Sequence, residues 1–315
     1  MIDLFCNIYS SIQDKNAFLK RVRFYSLLRV ITRLGANVIL PLYFRSRQHK
    51  KKYSLFPKED SHTPVIVSLT SFPARINRVW LVIECMLHQT YKPDGIILWL
   101  SKEQFRDMQS IPENLLRLQS RGLEIRIEEG DLRSHKKYTY VMRQYPEACI
   151  ITIDDDIFYR SSLVGELMAQ HITYPEAIIA RYTHNMRYEA DGTLASYNEW
   201  DDNVLVGAHL FFGSGGGTLL PPHTMHPDVI NSTLATRICP NADDIWLNAM
   251  ARIQKTPIIH TSNKDILLPI MLYRNIALFD TNETGGNDKQ IKQLIDYCIQ
   301  QYGVNPFAQS FTSSK

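Results

Sequence analysis

Three consecutive aspartates are the residues of this sequence best suited to chemistry. Asp154, Asp155 and Asp156 directly follow residues 148–153, an apolar run typical of a buried β-strand. Adjacent carboxylates repel one another, so they need a cation or hydrogen-bond donors nearby. Carboxylate oxygens are ligands that Mg²⁺ and Mn²⁺ prefer, and Mg²⁺ in particular shares its coordination with substrate phosphates. The run therefore favours a divalent-metal site, with an acidic loop or a helix N-cap as the alternative.

Two later segments also contain residues of chemical use. Residues 213–218 are the most glycine-dense part of the chain, and glycine lets the backbone approach a ligand closely. A flexible turn is the alternative, and no Gly-Lys-Ser/Thr ends the run, so it does not match a phosphate-binding P-loop. Asp243 and Asp244 follow Pro240 in a segment that predicts a helix start, where capping alone would account for one of the two carboxylates.

The elements that must position these residues alternate between strand and helix from Pro64 onward. Strands are predicted at 65–69, 95–100, 123–127, 148–153, 178–181 and 257–259, and helices at 76–89, 102–108, 138–144 and 161–170. A further helix is predicted to start near Pro240 and to run through Arg252. This alternation predicts a Rossmann-like α/β fold, with a mostly parallel sheet covered by helices on both faces. Ligands of such sheets bind beyond the carboxyl ends of the strands, where Thr70, Ser71 and the three aspartates are expected to lie.

Composition places the chain among ordinary globular proteins. It has 315 residues, 44% of them hydrophobic and 21% charged, which argues against collagen-like, disordered and disulfide-framework classes. Its five cysteines form no CxxC motif, which favours a reducing compartment and argues against a structural zinc site. Residues 1–52 contain 11 Lys or Arg and two Asp, so this segment is strongly basic while the remainder is mildly acidic. An acidic body speaks against a nucleic-acid partner.

The basic leader requires its own explanation. No signal peptide is evident, and no membrane span is predicted, because the longest apolar run, 34–44, is shorter than the roughly 20 residues that a span needs. An imperfect amphipathic helix is predicted over 18–40, with a linker over 45–64. Its apolar positions are Phe18, Val22, Tyr25, Leu28, Ile31 and Leu34. Residues 15–52 are therefore expected to face an anionic membrane surface; a helix packed on the domain, with its charges in solvent, is the alternative.

The aspartate run resembles the DxD element of GT-A glycosyltransferases. Residues 67–76 (VSLTSFPARI) and 134–138 (SHKKY) are similar to segments of a bacterial, family 2-like group found among polysaccharide and lipopolysaccharide transferases, and the resemblance covers about residues 64–296. It implies a GT-A fold and an enzyme that uses Mn²⁺ or Mg²⁺ to transfer a sugar from a nucleotide-sugar donor, with UDP as the default nucleotide. The acceptor would be a hydroxyl of a lipid-linked or oligosaccharide substrate.

The resemblance also implies roles for single residues in metal binding. Asp156 would bind the metal directly, and Asp154 would face the ribose or a metal-bound water. Asp155 stays open, because three consecutive aspartates leave the register ambiguous by one residue. His260 is a candidate third ligand. Other candidates come from a loop that would alternatively cover the diphosphate, namely Asn282, Asn287 and Asp288.

Donor binding and catalysis are assigned in the same way. The nucleotide-sugar contacts would be Thr70 and Ser71 at the nucleoside, Arg75 there or at the phosphates, and Gly215, Gly216 and Gly217 against the sugar. Lys137 would contact the diphosphate, unless it is a solvated lysine at a helix start. Asp244 would be the general base that deprotonates the acceptor, and Asp243 an orienting or capping partner. In a configuration-retaining enzyme the same pair would position the acceptor.

The predicted organisation has two parts. Residues 1–62 would form the basic, membrane-facing leader and linker, and residues 63–315 the GT-A domain. That domain divides into a nucleotide-binding half (63–160), an acceptor half (161–275) and a C-terminal loop and helix (276–315). The expected location is the cytoplasm, at the inner face of the cell membrane. The rival hypotheses are a sugar-1-phosphate nucleotidyltransferase, a haloacid-dehalogenase-type phosphatase, and a non-catalytic module recruited to membranes.

Overall fold

The structure is a computed structural model of the chain. It describes residues 1–12, 17–21, 23–47, 63–202, 204, 206, 207, 209–261, 266–271 and 286–310. Most of the predicted linker and the candidate ligand Asn282 therefore lie outside the described residues.

Twelve strands in the described residues form three sheets. They are β1 (Val65–Thr70), β2 (Gly95–Ser101), β3 (Leu123–Glu128), β4 (Cys149–Ile153), β5 (Ile157–Phe158), β6 (Ile178–Ala180), β7 (Thr183–Asn185), β8 (Asp201–Asp202), β9 (Leu210–Phe212), β10 (Gly216–Leu220), β11 (Ile258–His260) and β12 (Leu268–Pro269). The central sheet has the order β11-β6-β10-β4-β1-β2-β3. Strands β7, β8 and β9 form a second sheet, and β5 pairs with β12.

Ten α-helices are present in the same residues. They are α1 (Ile2–Ser11), α2 (Ala17–Arg21), α3 (Phe24–Arg47), α4 (Ile76–Leu87), α5 (Glu113–Leu116), α6 (Lys136–Gln144), α7 (Leu163–Thr173), α8 (Ser232–Ile238), α9 (Asp243–Ile253) and α10 (Gly286–Tyr302). The helices of the body cover the central sheet, and two apolar clusters fill the space around it.

The predicted mostly parallel α/β sheet is confirmed. Strands β1, β2, β3 and β4 pair in parallel, and so do β6 and β11. Strand β10 is the exception, since it runs antiparallel to both β4 and β6. The second half of the glycine run is thus a strand rather than a loop. Its pairing with β4 is irregular at Gly217, whose φ of +100° is readily adopted only by glycine.

One predicted helix is absent. Residues 102–104 form a turn after β2, and irregular backbone at 105–107 leads into a short 3₁₀ segment, Met108–Ser110. The Asp107 carboxylate accepts hydrogen bonds from the backbone N–H groups of Gln109 and Ser110. This local bonding starts a new turn at Asp107 and competes with a helix that would continue through it.

The leader differs from its predicted single helix. The helix is interrupted at Arg23, where φ is +56°. Helix α3 then extends to Arg47, beyond the predicted start of the linker. Ala36, Leu40 and Phe44 are buried in the same apolar cluster as the strands of the body. The stripe predicted from Phe18 to Leu34 is therefore not the face that packs on the body.

Residues Phe24–Ser46 are long and apolar enough, by length and composition, to cross a membrane. The sequence-based exclusion of a span considered only the apolar run 34–44, which Asn37 interrupts, and that criterion was too strict. Core helices and signal sequences meet the same length and composition, so this property alone does not assign a span.

Candidate active site

A cavity of about 1170 Å³ opens beyond the carboxyl ends of β1 and β4. Ligand pockets usually measure about 300 to 1,000 Å³, so this one has room for a substrate as large as a nucleotide sugar. Most predicted site residues line it together, and they are Thr70, Ser71, Arg75, Lys137, Asp154, Asp155, Asp156, Gly215, Gly216, Asp243 and Asp244. Residues far apart in sequence thus converge on the predicted edge of the sheet.

The three aspartates have different surroundings, because successive residues after a strand point in different directions. Asp155 is buried, and its two oxygens accept hydrogen bonds from Ser71 Oγ at 2.6 Å and Arg75 Nη1 at 2.8 Å. The same Nη1 atom lies 2.9 Å from Asp156 Oδ2. The side chains of Asp154 and Asp156 keep exposed fractions of 42% and 30%. Asp155 is therefore occupied by the protein, and Asp154 and Asp156 are the two carboxylates accessible from the cavity.

This pair of carboxylates fits a divalent cation. Burial, followed by the charge of Asp154, raises the pKa of Asp156 to about 7, which reflects an anionic site that a bound cation would relieve. In the described residues no group of three or more His, Cys, Asp or Glu side chains converges to form a complete cage. Mg²⁺ is commonly held by one or two carboxylates, with water and substrate phosphates completing its shell. Asp154 and Asp156 would hold the ion in such an open site.

Two predicted site residues lie elsewhere. His260 is on β11, where it pairs with Ala180 of β6, and β6 and β10 separate it from β4. It does not line the cavity, so its position gives no support to the predicted role as a third metal ligand. Gly217 also lies outside the cavity lining. A Cβ atom at this position would lie 2.7 Å from Leu163 Cδ1, so glycine leaves room for the Leu163 side chain. Gly217 shapes the strand rather than contacting a donor.

Gly215 and Gly216 permit close packing at the cavity wall. A Cβ atom at Gly215 would lie 1.7 Å from Asp154 Oδ2, and one at Gly216 would lie 2.7 Å from Tyr182 Cβ. The Asp154 carboxylate thus rests directly on the Gly215 backbone. The buried Tyr159 hydroxyl accepts a hydrogen bond from Asp154 N at 2.8 Å and donates one to the carbonyl of Gly215. Glycine here allows one carboxylate to be placed closely against another chain segment.

The second acid pair lies at the start of α9. Ser214 N donates to Asp244 Oδ1 at 2.7 Å, and Ser214 Oγ donates to Asp243 Oδ2 at 2.7 Å. Neither aspartate caps the helix, since the N-cap is Ala242 and it makes no side-chain capping bond. The capping interpretation is therefore wrong for both. Ser214 holds the two carboxylates in fixed orientations beside the glycine run.

Lys137 connects the two groups of acids. Its buried ammonium lies 2.9 Å from Asp154 Oδ1 and 2.9 Å from Asp243 Oδ2. It is thus not a solvated lysine, and because it lines the cavity its contact with a diphosphate stays a prediction. Although burial by itself would lower the pKa of Lys137, the surrounding carboxylates raise it. Burial by itself would raise the pKa of Asp243, but Lys137, together with His135 and the hydrogen bond from Ser214, lowers that pKa to about 2.

The two acids of the α9 pair have opposite tendencies to hold a proton. Burial and the neighbouring charge of Asp243 raise the pKa of Asp244 to about 7. Asp243, paired with Lys137 and Ser214, stays ionised. A carboxylate whose pKa lies near neutral pH has the property that general-base chemistry requires.

Replacing Lys137 tests its role as the shared counter-ion. We expect Lys137→Met to lower the free energy of unfolding by about 3 kcal/mol at pH 8, because it leaves Asp243 charged, buried and without its cation. The loss should shrink as the pH falls, since protonation of Asp243 removes the uncompensated charge. Urea unfolding at pH 8 and pH 5 measures both effects.

The matched control is a double variant. Lys137→Met combined with Asp243→Asn removes the cation and one of the charges that it balances, so we expect it to recover part of the lost stability. A decrease of less than about 1 kcal/mol for Lys137→Met, the value of an exposed ion pair, would contradict a structural role for Lys137.

Sequence reasoning missed several residues of this cavity. Ser214 and Tyr159 carry no motif that marks them, and only their contacts reveal their roles. Tyr182 and His184 were likewise not singled out, and they form an aromatic part of the wall together with Tyr197 and Trp200, whose aromatic-rich segment the sequence does mark. Asn287 also lines the cavity, whereas Asp288 accepts hydrogen bonds from Ser196 Oγ and Tyr197 N and thereby fixes α10 to the second sheet's loop.

No known protein-family profile and no curated protein sequence matches the chain. Solved structures that are similar to it include 4-diphosphocytidyl-2C-methyl-D-erythritol synthase from Anaerococcus prevotii, with 11% identity, 70% of this chain and 96% of that chain covered, and a TM-score of 0.43. The mannosyltransferase PcManGT from Pyrobaculum calidifontis in complex with GDP-Man and Mn²⁺ has 11% identity, coverages of 85% and 75%, and a TM-score of 0.48. An apo UDP-glucose pyrophosphorylase has 8% identity, coverages of 66% and 92%, and a TM-score of 0.40. At such low identities the function has to be argued from the site's own residues.

Proposed function

We propose that the chain is a metal-dependent glycosyltransferase. It transfers a sugar from a nucleotide-sugar donor, with a UDP-sugar as the first to test, to a hydroxyl group of a glycan. One observation carries this proposal. A single cavity presents the open carboxylate pair Asp154 and Asp156 on one wall and the pair Asp243 and Asp244 on another, with Lys137 between them.

The reaction follows from the chemistry of these groups. Asp244, ionised, accepts the proton of the acceptor hydroxyl as its oxygen attacks the anomeric carbon. The bond between the anomeric carbon and the diphosphate oxygen breaks, and the nucleoside diphosphate leaves with its electron pair. A divalent cation held by Asp154 and Asp156 would neutralise the charge that develops on that diphosphate. Ser214 keeps Asp244 oriented throughout, and Lys137 keeps Asp243 ionised.

The same acid pair weighs against the rival enzyme classes. A sugar-1-phosphate nucleotidyltransferase uses a phosphate as nucleophile, which is already an anion near neutral pH and needs no general base. An alcohol does need one, and a carboxylate with a raised pKa is present here. For the phosphatase hypothesis the nucleophile would be an aspartate directly after the strand. Such a nucleophile requires a DxDx[TV] context, and after Asp154 and Asp156 the chain has Phe158 where the Thr or Val would stand.

Calorimetric titration with UDP, with and without Mn²⁺, tests the donor half of the proposal. We expect measurable binding that strengthens when Mn²⁺ is present. A panel of nucleotide sugars, assayed for released nucleoside diphosphate, then identifies the donor. Pyrophosphate formation from a nucleoside triphosphate and a sugar 1-phosphate would instead establish the nucleotidyltransferase. If the chain binds no nucleotide, the hypothesis of a non-catalytic module recruited to membranes is the one that is supported.

The pH dependence of turnover should report Asp244. The charged groups that face it are Asp243, which raises its pKa, and Lys137, which lowers it. Because the base must be unprotonated, we expect kcat/KM to rise with pH up to about 7 and then to level off. Initial rates over the range from mildly acidic to mildly alkaline pH measure this limb. A limb that persists unchanged in Asp244→Asn would assign it to another group.

The acceptor that we propose is a bacterial cell-surface polysaccharide or lipopolysaccharide intermediate, either lipid-linked or an oligosaccharide. The enzyme would act in the cytoplasm at the inner face of the membrane. Two observations support this proposal. The half-buried rings of Tyr182 and Tyr197 in the cavity wall offer apolar surfaces on which a sugar ring can stack, and the buried Trp200 packs beside Tyr197. All five cysteines are buried as free thiols, which suits a reducing compartment.

A further inference from the structure

Helix α3 carries two apolar stripes on opposite faces. One is buried and contains Ala36, Leu40 and Phe44 at four-residue steps. The other points to solvent, and each of its five side chains is 45–62% exposed; they are Leu27, Ile31, Leu34, Val38 and Leu42. These residues recur at three- and four-residue steps and so form one continuous helical face, which we call the exposed stripe. Such a row of large apolar side chains marks an interaction surface.

The contacts of α3 with the body argue against a helix that crosses a bilayer. The Asn37 side chain donates to the carbonyl of Pro269 at 3.2 Å and accepts from Met271 N at 2.8 Å. Phe44 packs edge-on against Trp80 of α4. If α3 crossed a bilayer, these hydrogen bonds would be broken and the buried stripe would lose its contacts with the apolar core of the body. The helix can instead keep its place on the body and insert only its exposed stripe.

The charges around α3 fit an anionic partner. Among the described residues before position 48 the only acidic side chain is that of Asp3, and it accepts hydrogen bonds from Ser161. Exposed basic residues lie near the two ends of the stripe, namely Lys20, Arg21 and Arg23 before α3 and Arg45 in its last turn. Arg29 and Arg33 are half-buried on the opposite face of the helix, where Arg29 Nη2 donates to the carbonyl of Ile12. A second copy of the chain would bring like charges together across a symmetric interface. Anionic lipid headgroups would complement them.

We propose that this segment docks on a membrane surface that carries anionic lipids, with α3 lying in the plane of the interface and its exposed stripe inserted. Amphipathic helices of this kind bind through buried apolar area together with attraction between basic residues and headgroups. The docking rests on the contacts and charges of α3 and does not depend on the reaction proposed above.

Hydrogen bonds through residues 269–271 connect the docked helix to the candidate active site. Ile270 N donates to the carbonyl of Asp156 at 2.7 Å, and the residues on either side of Ile270 are the two that Asn37 binds. Docking therefore places the loop that carries Asp156 beside the membrane-bound element. This last step rests on the proposed function: a lipid-linked acceptor could reach the cavity while its lipid stays in the bilayer.

Vesicle sedimentation with the full chain tests the docking. We expect binding to phosphatidylethanolamine vesicles with about 30% phosphatidylglycerol and little binding to phosphatidylcholine alone. The variant Ile31→Gln/Leu34→Gln/Val38→Gln should bind at least ~10-fold more weakly, since it removes the apolar area that inserts. The matched control Ile172→Gln/Ile299→Gln changes exposed apolar residues on α7 and α10 and should bind like the wild type.

A second measurement covers the case in which the triple variant fails to fold. Because all five native cysteines are buried, Val38→Cys introduces a single accessible thiol for a polarity-sensitive dye. We expect its emission to shift to the blue on anionic vesicles, whereas a dye at Ile172→Cys should not respond. The absence of a shift at Val38 would overturn the proposal.

Three further results would overturn it as well. Equal binding to neutral vesicles would remove the role of the basic residues. Resistance to extraction by alkaline carbonate would indicate a spanning helix. Self-association in solution that the triple variant abolishes, without any vesicle binding, would assign the stripe to a second copy. None of these results concerns nucleotide binding, so failure here is distinguishable from failure of the proposed function.

Discussion

Replacing Asp244 with asparagine should lower kcat by a factor on the order of 10³, because general-base catalysis contributes about 10² to 10⁴ in rate. The change keeps the size of the side chain and an oxygen that can accept the hydrogen bond from Ser214 N. It removes only the ability to take the acceptor's proton. Donor affinity should therefore stay within about twofold of the wild-type value. Steady-state turnover with the identified donor, together with UDP titration, measures both quantities.

Asp191→Asn provides the control for this experiment. Asp191 lies in an exposed turn, bonds to Thr193 and does not line the cavity, so its replacement should leave turnover unchanged. Full activity of Asp244→Asn would remove that residue from the mechanism. A parallel loss of donor binding would instead make Asp244 a donor ligand, and the base would have to be sought elsewhere in the cavity.

Asp156→Asn should abolish measurable turnover and weaken the Mn²⁺-dependent part of UDP binding by at least ~10-fold. The physical reason is that the open site has two accessible carboxylates, so one neutral substitution removes half of its negative charge. Titration of Mn²⁺ alone, followed by electron paramagnetic resonance of the free ion, gives a readout that does not depend on catalysis.

The neighbouring Asp155→Asn separates the metal role from general damage to the loop. Asp155 is buried between Ser71 and Arg75, so its replacement should lower the melting temperature while Mn²⁺ affinity stays within about threefold. If Asp155→Asn weakened Mn²⁺ binding as much as Asp156→Asn, the register of the metal site assigned here would be wrong.

Much of the architecture was accessible from local sequence patterns. Buried parallel strands are short, continuous apolar runs, so β1, β2 and β4 could be placed to within a residue or two. Their carboxyl ends meet at one edge, which predicted that Thr70, Ser71 and the aspartates would lie together. The antiparallel strand β10 escaped prediction, because a run of glycines lacks the β-branched or aromatic side chains that mark a strand.

The individual roles at the site could be predicted less well. His260 follows a convincing strand, but its distance from β4 depends on the order of strands in the sheet, which the local sequence does not encode. The same holds for Lys137. Its position at the start of α6 was predictable, whereas its pairing with Asp154 and Asp243 depends on α6 and α9 facing the same end of β4.

In the leader, too, some features could be predicted from the sequence and others depend on the fold. Its basic charge is a property of composition, and it pointed to an anionic surface from the sequence alone. Which side chains of α3 face the body could not be read from a mixed apolar pattern, since apolar residues occur on both faces of the helix. Packing against α4 and β12 buries Ala36, Leu40 and Phe44 and leaves the exposed stripe in solvent.

By itself, then, the sequence determined the class of fold, the edge of the sheet that carries the chemistry and the two acid pairs, because these depend on residue type and on periodicity along the chain. The tertiary structure decided which acids keep a side exposed to the cavity, which of them pair with Arg75 or Lys137, and which face of α3 is left uncovered. Ion pairs and burial join residues distant in sequence, so only the folded chain can bring them within a few ångströms of one another.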